Sequence, residues 1–524
     1  MNLPGNELDT HNHTLEFIGY MLVCVILILY LTIGSYMELK MFKWGHETGV
    51  IILIGVVISV IYHTLHLGGD TMLKWNNDLF FDFLLPLIIF TTGYNIRRRK
   101  FFSNIANISK FGLLGTVLTF IFLALFTWLL FLSGPLTKCK ILNSEGNIEP
   151  ICSDWSLDVY SIFYFCAILT GSDIIAFVTL VKFEDYPSLF SIVLGEGLYN
   201  DVVVIILYET MKEVAENTED ANHGLGAKTP LVVMGTFLYI SVLSLAIGLF
   251  FGVLCTLMTK HFRFISQSAV FESTLLISCA MCGYMLSEML HLSAICSLVV
   301  TSVIYSHYTW YNLSPQGKHV TALTFQTLGY MAEALVFAFI GMTSVGSFLN
   351  LYISWQFIVA LLFFVVAART LGIFISYYTF ACCKGSEANK LTNREIMFAV
   401  WAAYIRGAIA FGLTMNLDEK TFGNENNSSE SDNSTEVART TMLALVIITT
   451  FLFGGFTPMV KSCLMGKETT IEDMNMTVAQ KRRQSIIDQN SMYLGDPSKL
   501  NLGISVNRNS ENPHKGSFLQ YVVD

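Results

Sequence analysis

Charged side chains are scarce in this chain. Asp, Glu, Lys and Arg make up only 14% of its 524 residues, whereas 53% of the residues are hydrophobic. A soluble domain carries charge on about 25% of its residues, because its surface must face water. The scarcity of charge therefore excludes a soluble globular protein.

The chain also lacks an excess of basic residues. It has 31 Lys and Arg against 40 Asp and Glu, which gives a net charge of −9. Proteins that bind nucleic acid normally present a basic surface to the phosphates. We therefore expect no nucleic-acid partner.

Polar loops contain few cysteines. Most of the 11 Cys lie inside apolar runs, where we interpret them as small hydrophobic residues and not as metal ligands. Only Cys139 and Cys152 share a polar loop and could form a disulfide.

A cleavable signal peptide is not predicted, because acidic residues precede the first apolar run and that run is too long. We expect that the protein holds no cofactor and is not an enzyme.

Apolar runs of about 20 residues recur along most of the chain, and each can cross a hydrocarbon layer about 30 Å thick. Because lipid cannot hydrogen-bond the backbone, such runs must form helices. The sequence thus predicts an all-α membrane protein with about thirteen transmembrane helices, although the short gap near residue 288 leaves open that two of them are one. The predicted spans are 16–36, 49–67, 79–95, 109–133, 158–182, 187–211, 230–259, 268–287, 289–307, 323–347, 354–380, 395–416 and 440–462.

Basic residues in the loops orient these spans, because positive charge concentrates on the cytosolic side. An outer N-terminus places most basic loop residues inside, and thirteen crossings then place the C-terminus in the cytosol. We expect the protein in the plasma membrane or in an endosomal or vacuolar membrane. In an organelle the outer side of the protein faces the lumen. The inner basic residues are Lys40, Lys43, the run 97–100 (RRRK), Lys260, Arg263, Lys384, Lys390 and Arg394.

Three regions follow from this topology. A short N-terminus at 1–15 is predicted outside or in the lumen, a transmembrane domain at 16–463, and a cytosolic tail at 464–524. The tail is polar with few aromatic residues, which is typical of disorder. The outer loop 417–437 is rich in Asn, Ser and Glu. Its candidates for N-glycosylation are Asn426, Asn427 and Asn433.

Six ionisable residues lie near the middle of predicted spans, where a charge costs at least about 2.5–3.5 kcal/mol. One interpretation is that they form ion pairs that hold the bundle together. We favour it for Glu196 with Arg369, because Arg cannot avoid its burial cost by losing a proton. The six residues are Asp173, Glu196, Asp201, Glu333, Arg369 and Arg406.

Four acids against two bases leave carboxylates without a permanent partner, and we expect Asp201 to be the functional one. Desolvation makes the ionised form of such a group costly, so it binds either a proton or a cation. This competition is the chemistry that exchange of a cation for a proton requires.

Two spans contain polar breaks. The fifth holds 170–173 (TGSD) and the twelfth holds Arg406-Gly407. Broken helices expose carbonyl groups and helix ends at the membrane centre, where transporters bind ions. If spans one to six and eight to thirteen are inverted repeats, the two breaks occupy matching positions. They would then cross, with Arg406 compensating the facing carbonyl ends. A lone Gly break can also reflect tight helix packing.

Several segments resemble the eukaryotic sodium/proton exchangers of the monovalent cation/proton antiporter group. Segment 195–201 (GEGLYND) is similar to the family signature G-E-[SG]-x-x-N-D, and the similarity covers roughly residues 45–465 in the same order. The other matching segments are 83–90 (FLLPLIIF) with Gly93-Tyr94, Phe271-Glu272-Ser273, Glu288 with 291–293 (HLS), Glu333 with Phe337 and Gly341, and 405–411 (IRGAIAF).

The resemblance implies a thirteen-helix fold with core and dimerisation domains, which works as a homodimer by alternating access. It implies that Asp201 is the main carboxylate for Na⁺ or K⁺ and for the proton. Asn200, Asp173 and Ser172 would help to coordinate the ion. Asn rather than Asp at position 200 resembles the electroneutral branch, which exchanges one cation for one proton.

The resemblance has departures. Ile174 stands where the family usually has a Pro after the Asp, Leu87 replaces one of two paired prolines, and Ala402-Ala403-Tyr404 replaces common glycines. Pro fixes a helix break, so its loss bears on ion selectivity and rate more than on the fold.

The alternatives to an antiporter are an intramembrane aspartyl protease and a cation channel. An intramembrane aspartyl protease needs two carboxylates that share a proton, but its Gly-x-Gly-Asp pattern does not occur around Asp201. A cation channel would repeat a pore loop or a charged ring, and the sequence shows neither. A channel or a scaffold without transport activity remains the alternative to an antiporter.

Overall fold

The structure is a computed structural model that describes residues 21–22, 24–36, 47–64, 77–140, 151–173, 181, 186–219, 229–381, 392–417 and 428–465. The chain divides into the units Met1–Glu468 and Thr469–Asp524. The predicted N-terminal segment 1–15 and nearly all of the predicted tail lie outside the described residues, as do Ile174, Asn426 and Asn427.

The described chain is mostly helical. Seven helical segments are long and apolar enough to cross a membrane, and shorter apolar helices accompany them. Each predicted span contains helix in its described part. The helices are α1 (Cys24–Tyr36), α2 (Glu47–Thr64), α3 (Asn77–Leu79, Phe80–Leu84 and Leu85–Tyr94), α4 (Arg98–Ser103), α5 (Ile105–Leu132), α6 (Val159–Leu169), α7 (Pro187–Glu219), α8 (Thr229–His261), α9 (Ala269–Met289), α10 (Ala294–Ile304, Tyr305–Thr309 and Trp310–Asn312), α11 (Pro315–Asn350), α12 (Trp355–Ala381), α13 (Asn393–Ala402), α14 (Ala408–Met415) and α15 (Ser428–Thr449, Thr450–Gly454 and Gly455–Met465).

The gap near residue 288 separates two helices. α9 ends at Met289 and α10 begins at Ala294. Between them His291 adopts a positive φ of 54°, and the Ser293 side chain accepts a hydrogen bond from the Cys296 backbone N–H at 3.3 Å. A side-chain oxygen that satisfies an unpaired N–H in the first turn starts a new helix. The two predicted spans are therefore distinct.

The helices pack as two groups. α7 contacts α5 and α6, α5 contacts α12, and α14 contacts α15; we call α5, α6, α7 and α12–α15 the site bundle. α11 contacts α2 and α3, and α10 contacts α3, α8 and α9; we call α2, α3 and α8–α11 the scaffold bundle.

A small sheet lies at one end of the site bundle. Strands β1 (Leu136–Lys140), β2 (Ile151–Trp155) and β3 (Tyr352–Ile353) form it in the order β2-β1-β3, with all pairs antiparallel. A disulfide joins Cys139 to Cys152, which are direct cross-strand partners. Trp155 Nε1 donates to Ser434 Oγ at 3.0 Å, so the sheet is also tied to the start of α15. We call this the sheet end of the molecule.

One predicted loop is shorter than expected. The sequence predicts an outer loop at 417–437, but α15 begins at Ser428. Asn433, a predicted glycosylation candidate, therefore lies in a helix. From Ser428 onwards the polar residues continue the helix, in which Val437 and Ala438 are buried.

Candidate cation site

Two extended segments cross where α6 ends and α14 begins. α6 ends at Leu169, and α14 begins at Ala408. The Asp173 backbone N–H donates to the Ile405 carbonyl oxygen at 2.8 Å. This hydrogen bond joins the two breaks that the sequence places in matching spans.

Arg406 holds the crossing together. Its side chain is fully buried, and Nη1 donates to the Thr170 carbonyl oxygen at 2.9 Å and to that of Gly171. Carbonyl groups at the last turn of a helix have no partner inside it, and they carry partial negative charge. The guanidinium thus compensates the end of α6. Its own backbone N–H donates to Thr449 Oγ1 of α15 at 3.1 Å.

The Asp173 side chain lies against the start of α14. A Cβ atom added to Gly407 would come within 2.8 Å of Asp173 Cβ and 2.9 Å of its Oδ2. The first N–H groups of a helix have no partner inside it and favour negative charge. Only a glycine lets the carboxylate approach this helix end so closely.

A chain of hydrogen bonds links α5, α7 and α12 to Ser172, in the segment that follows α6. Thr116 Oγ1 of α5 donates to Asn200 Oδ1 at 2.9 Å, and Asn200 Nδ2 donates to Ser172 Oγ at 3.0 Å. Arg369 Nη2 of α12 also donates to Ser172 Oγ, at 3.1 Å, and it contacts Glu196 Oε1 in a salt bridge. All five side chains are buried. Buried polar groups need such partners, because an unpaired one costs about 1–3 kcal/mol.

Asp201 follows Asn200 on α7 and is half-buried. Asp173 and Glu196 lie close enough to repel its ionised form, and Arg369 is close enough to oppose them. Glu196 is in direct contact with Arg369. The site thus brings three carboxyl groups together with two guanidinium groups, those of Arg369 and Arg406, which leaves one negative charge in excess. The site favours an added positive charge, either a proton or a cation.

A cavity of about 300 Å³ lies on the same side of α7 as Asp201. Its lining includes Ile205, Tyr208 and Lys212, which follow Asp201 at intervals of four, seven and eleven residues and so share its face of the helix. Leu413 and Asn416 of α14 complete the nearby wall. The cavity thus lies between Asp201 and the end of the bundle that carries Lys212.

The opposite side of the site is tightly packed. Next to Glu196 there is a void of only about 10 Å³, walled by apolar side chains such as Phe111, Ile192 and Ile396. Ile192 precedes Asp201 on α7, whereas the large cavity borders residues that follow it. Among the described residues, the large cavity therefore lies on the Lys212 side of Asp201, and the other side is closely packed.

The structure brings together seven of the predicted site residues and leaves Glu333 on another helix. Glu333 lies half-buried on α11, in the scaffold bundle. No group of three or more His, Cys, Asp or Glu side chains in the described part of the chain is arranged to hold a metal ion as a resident cofactor. A monovalent cation is instead the kind of substrate that two carboxylates and neutral oxygens would hold.

Sequence reasoning missed two residues of this site, Thr116 and Thr449. The Thr116 hydroxyl donates a hydrogen bond to Asn200, and the Thr449 hydroxyl accepts one from the Arg406 backbone N–H. A hydroxyl in an apolar helix usually bonds to a carbonyl of its own preceding turn. For this reason neither threonine carries a signal in the sequence.

Comparison with known proteins agrees with this geometry. The family model described as "Sodium/hydrogen exchanger, transmembrane" matches residues 26–462. Sodium/hydrogen exchanger 1 of Oryza sativa subsp. japonica is 26% identical over 461 residues, which cover 86% of this chain and 78% of the rice protein. Sodium/hydrogen exchanger 8 of Homo sapiens is 27% identical over 408 residues, which cover 78% of this chain and 64% of the human protein.

A solved structure shows the same fold. The sodium proton antiporter MjNhaP1 from Methanocaldococcus jannaschii superimposes with a TM-score of 0.59 and 14% sequence identity, covering 86% of this chain and 99% of that one. The predicted all-α membrane fold is thereby confirmed as the antiporter fold. Since the family model spans most of the chain, this protein belongs to the sodium/hydrogen exchanger family.

Proposed function

We propose that this protein exchanges a monovalent cation, Na⁺ or K⁺, for a proton at Asp201. The observation that carries the proposal is the position of Asp201 near Asp173 and Glu196, on the face of α7 that borders the large cavity through Ile205 and Tyr208. Three acidic groups near the two guanidinium groups of Arg369 and Arg406 leave one negative charge that requires a compensating positive charge. A proton and a cation both supply it, and binding of one displaces the other.

The stoichiometry follows from the chemistry of Asn200. An amide does not titrate, and this one is held between Thr116 and Ser172. Glu196 is engaged by Arg369, so we assign the exchanged proton to Asp201. One carboxylate exchanges one positive charge for another, which makes the cycle electroneutral.

Asp201 and Asp173 are the proposed ligands of the cation, and Ser172 has a supporting role. Ser172 Oγ accepts two hydrogen bonds, one from Asn200 and one from Arg369. A hydroxyl has two acceptor lone pairs, so both are already used. Ser172 and Asn200 thus hold the crossing in place, and the carboxylates bind the ion.

The orientation predicted from the loop charges is supported by the disulfide. Cys139 and Cys152 pair at the sheet end, and disulfides persist in oxidising compartments such as the cell exterior and the secretory lumen. The sheet follows the C-terminal end of α5, so the basic run 97–100 before α5 faces the cytosol. Alternating access requires a second state that opens the packed side near Glu196. The homodimer and the choice between plasma membrane and endosomal or vacuolar membrane remain predictions.

Reconstitution tests the proposed exchange. Purified protein in liposomes with an internal pH dye should move protons when an outward or inward Na⁺ or K⁺ gradient is imposed, without an accompanying current. Asp201→Asn should abolish this movement and leave the protein folded, since the amide has nearly the same shape but cannot ionise. Normal exchange by Asp201→Asn would refute the assignment, and a current without proton movement would identify a channel.

Competition at one carboxylate also fixes the pH dependence. Protons occupy Asp201 at low pH, so a cation must displace them. The apparent Michaelis constant for the cation should therefore rise as pH falls on the cation side, with the maximal rate little changed. A Michaelis constant that does not vary with pH would contradict direct competition.

A further inference from the structure

Two basic side chains lie together at the end of the scaffold bundle opposite the disulfide. Arg98 is the first residue of α4, and Lys318 lies in the first turn of α11. Tyr94 precedes Arg98 by four residues, and Thr321 follows Lys318 by three. Tyr94 OH and Thr321 Oγ1 are 2.9 Å apart and buried, so this contact brings the two cations next to each other. The two positive charges act on each other.

Aromatic rings surround the Arg98 guanidinium. Its Cζ lies 4.4 Å from the Trp310 ring centroid and 5.6 Å from that of Tyr311. Burial lowers the pKa of Arg98 from its usual value, and Tyr311 and Tyr94 partly oppose this effect. Stacking on ring faces leaves the planar N–H edge of a guanidinium available for bidentate contact with an anion.

Glu272, the carboxylate whose charge acts on Lys318, already accepts hydrogen bonds from another residue. Glu272 is buried, and its two oxygens accept hydrogen bonds from the Ser314 backbone N–H and from Ser314 Oγ, each at 2.9 Å. Within the described ranges no salt bridge reaches Arg98 or Lys318. Two neighbouring cations with one carboxylate, which acts on Lys318, leave an excess of positive charge.

The surroundings are those of a membrane interface. Tyr308 and Tyr311 are 58% and 71% exposed, and exposed Tyr and Trp side chains concentrate at the level of the lipid headgroups. α5 has 28 residues and therefore spans about 42 Å at 1.5 Å per residue. α4 precedes one end of α5 and the disulfide sheet follows the other, so the Arg98 cluster and the sheet face opposite membrane surfaces. The cytosolic leaflet carries the anionic lipids.

We propose that Arg98 and Lys318, with Trp310 and Tyr311 beside them, bind the phosphate headgroup of an anionic phospholipid of the cytosolic leaflet. The phosphate lies between the guanidinium edge and the ammonium group, and the exposed tyrosines line the path of the acyl chains. The lipid joins the start of α4 to the start of α11. This assignment does not depend on the proposed exchange reaction.

Lipid titration of the purified full-length protein tests the site. Native mass spectrometry would compare dioctanoyl phosphatidic acid with dioctanoyl phosphatidylcholine, and we expect binding of the acid to be preferred. A basic residue near an anionic surface contributes about 1 kcal/mol, so Arg98→Gln and Lys318→Gln should each weaken binding roughly fivefold, and the double variant roughly 25-fold. Arg98→Lys, which keeps the charge but loses the stacked planar edge, should restore only part of the affinity lost in Arg98→Gln.

A matched control separates a site from diffuse charge. Arg394 is exposed at the start of α13, in the site bundle, and Arg394→Gln removes the same charge there. Its affinity for phosphatidic acid should equal that of the unmodified protein. Equal losses in all three single variants would overturn the proposal, as would inorganic phosphate that displaces the lipid at similar concentrations. Elution profile and melting temperature in phosphatidylcholine micelles verify that each variant is folded.

The outcome is independent of ion exchange. Asp201→Asn should bind phosphatidic acid as the unmodified protein does, because Asp201 lies in the site bundle. Loss of exchange with retained lipid binding, or the reverse, would show which of the two proposals fails.

Discussion

Two consecutive helices of equal length, α7 and α8, differ in where they place their polar residues. Each has 33 residues. In the most apolar stretch of α7, 72% of the residues are buried inside the protein, against 28% in α8. α7 carries Glu196, Asn200 and Asp201, whereas residues 230–259 of α8 contain no ionisable acid or base. The more polar helix is thus the more buried one.

The environment of each helix explains this difference. α8 exposes large apolar side chains such as Leu231, Phe250 and Leu257. The Ser241 hydroxyl bonds within the helix, to the Phe237 carbonyl oxygen at 2.6 Å. α7 satisfies its polar groups through α5, α6 and α12. Lipid offers no hydrogen bonds, so polar residues that need partners on other helices must face the interior. Substitutions in α7 and its partners should therefore cost far more than substitutions in α8.

The largest effect is expected for Arg369→Ala. The change leaves Glu196 buried without its ion-pair partner. Removing one partner of a buried ion pair costs about 3–5 kcal/mol of stability. The yield of folded protein and its melting temperature in detergent should fall sharply. Glu196→Gln combined with Arg369→Gln should recover part of the loss, because no unpaired charge remains.

Arg394→Ala is the control for this change, since Arg394 is exposed and surface substitutions usually stay within about 0.5 kcal/mol. A normal melting temperature for Arg369→Ala would show that the pair is not structural.

A smaller effect is expected for Gly407→Ala. The added Cβ would come within 2.8 Å of Asp173 Cβ, and overpacking costs about 1–3 kcal/mol. Because the clash displaces Asp173, exchange should be lost before the fold is. Gly235→Ala in α8 is the matched control: its Cβ meets nothing within 4 Å, and replacing a helical Gly stabilises by about 0.5–1 kcal/mol. Undiminished exchange by Gly407→Ala would argue against the close approach of Asp173 to α14.

The smallest effect is expected for Thr116→Val, which removes the hydrogen bond to Asn200 Oδ1. A net hydrogen bond contributes about 1 kcal/mol, which corresponds to roughly fivefold weaker cation binding if Asn200 holds the site in its binding geometry. Thr116→Ser should restore the affinity. Thr119→Val, one turn away, removes a hydroxyl that bonds only to the Gly115 carbonyl oxygen of the same helix, and it should leave cation affinity unchanged. Equal effects of the two Val variants would place Thr116 outside the site.

The sequence predicted much of the fold. Long apolar runs require helices in lipid, so each predicted span contains helix and the all-α membrane fold is confirmed. The element boundaries were less accurate at residues 417–437, where polar composition indicated a loop and α15 already begins at Ser428. The π-helical turn Lys110–Gly115 in α5 was also not predicted. Its Lys110 carbonyl oxygen accepts a hydrogen bond from Ser376 Oγ of α12 at 2.6 Å, and such a contact between helices leaves no local pattern.

The candidate site was predicted in its charged members and, through the family resemblance, in Asn200 and Ser172, but Thr116 and Thr449 were missed. A charge in an apolar run is costly and therefore visible in the sequence, which is why Asp173, Asp201 and Arg406 were identified. Thr116 resembles Thr119 and Thr127 of the same helix, whose hydroxyls bond within the helix. Only its position opposite Asn200 distinguishes it.

The sequence by itself determined that this chain spans a membrane, that Gly and polar residues break its fifth and twelfth spans, and that the acids at depth outnumber the bases. These properties follow from composition and local pattern, because lipid penalises every unpaired polar group. The tertiary structure decided which groups meet: that Arg406 binds the carbonyls of Thr170 and Gly171, that Asn200 lies between Thr116 and Ser172, and that Asp201 faces a cavity open to one end. These hydrogen bonds join residues between 28 and 236 positions apart. They depend on how helices pack, and no single run of sequence encodes that packing.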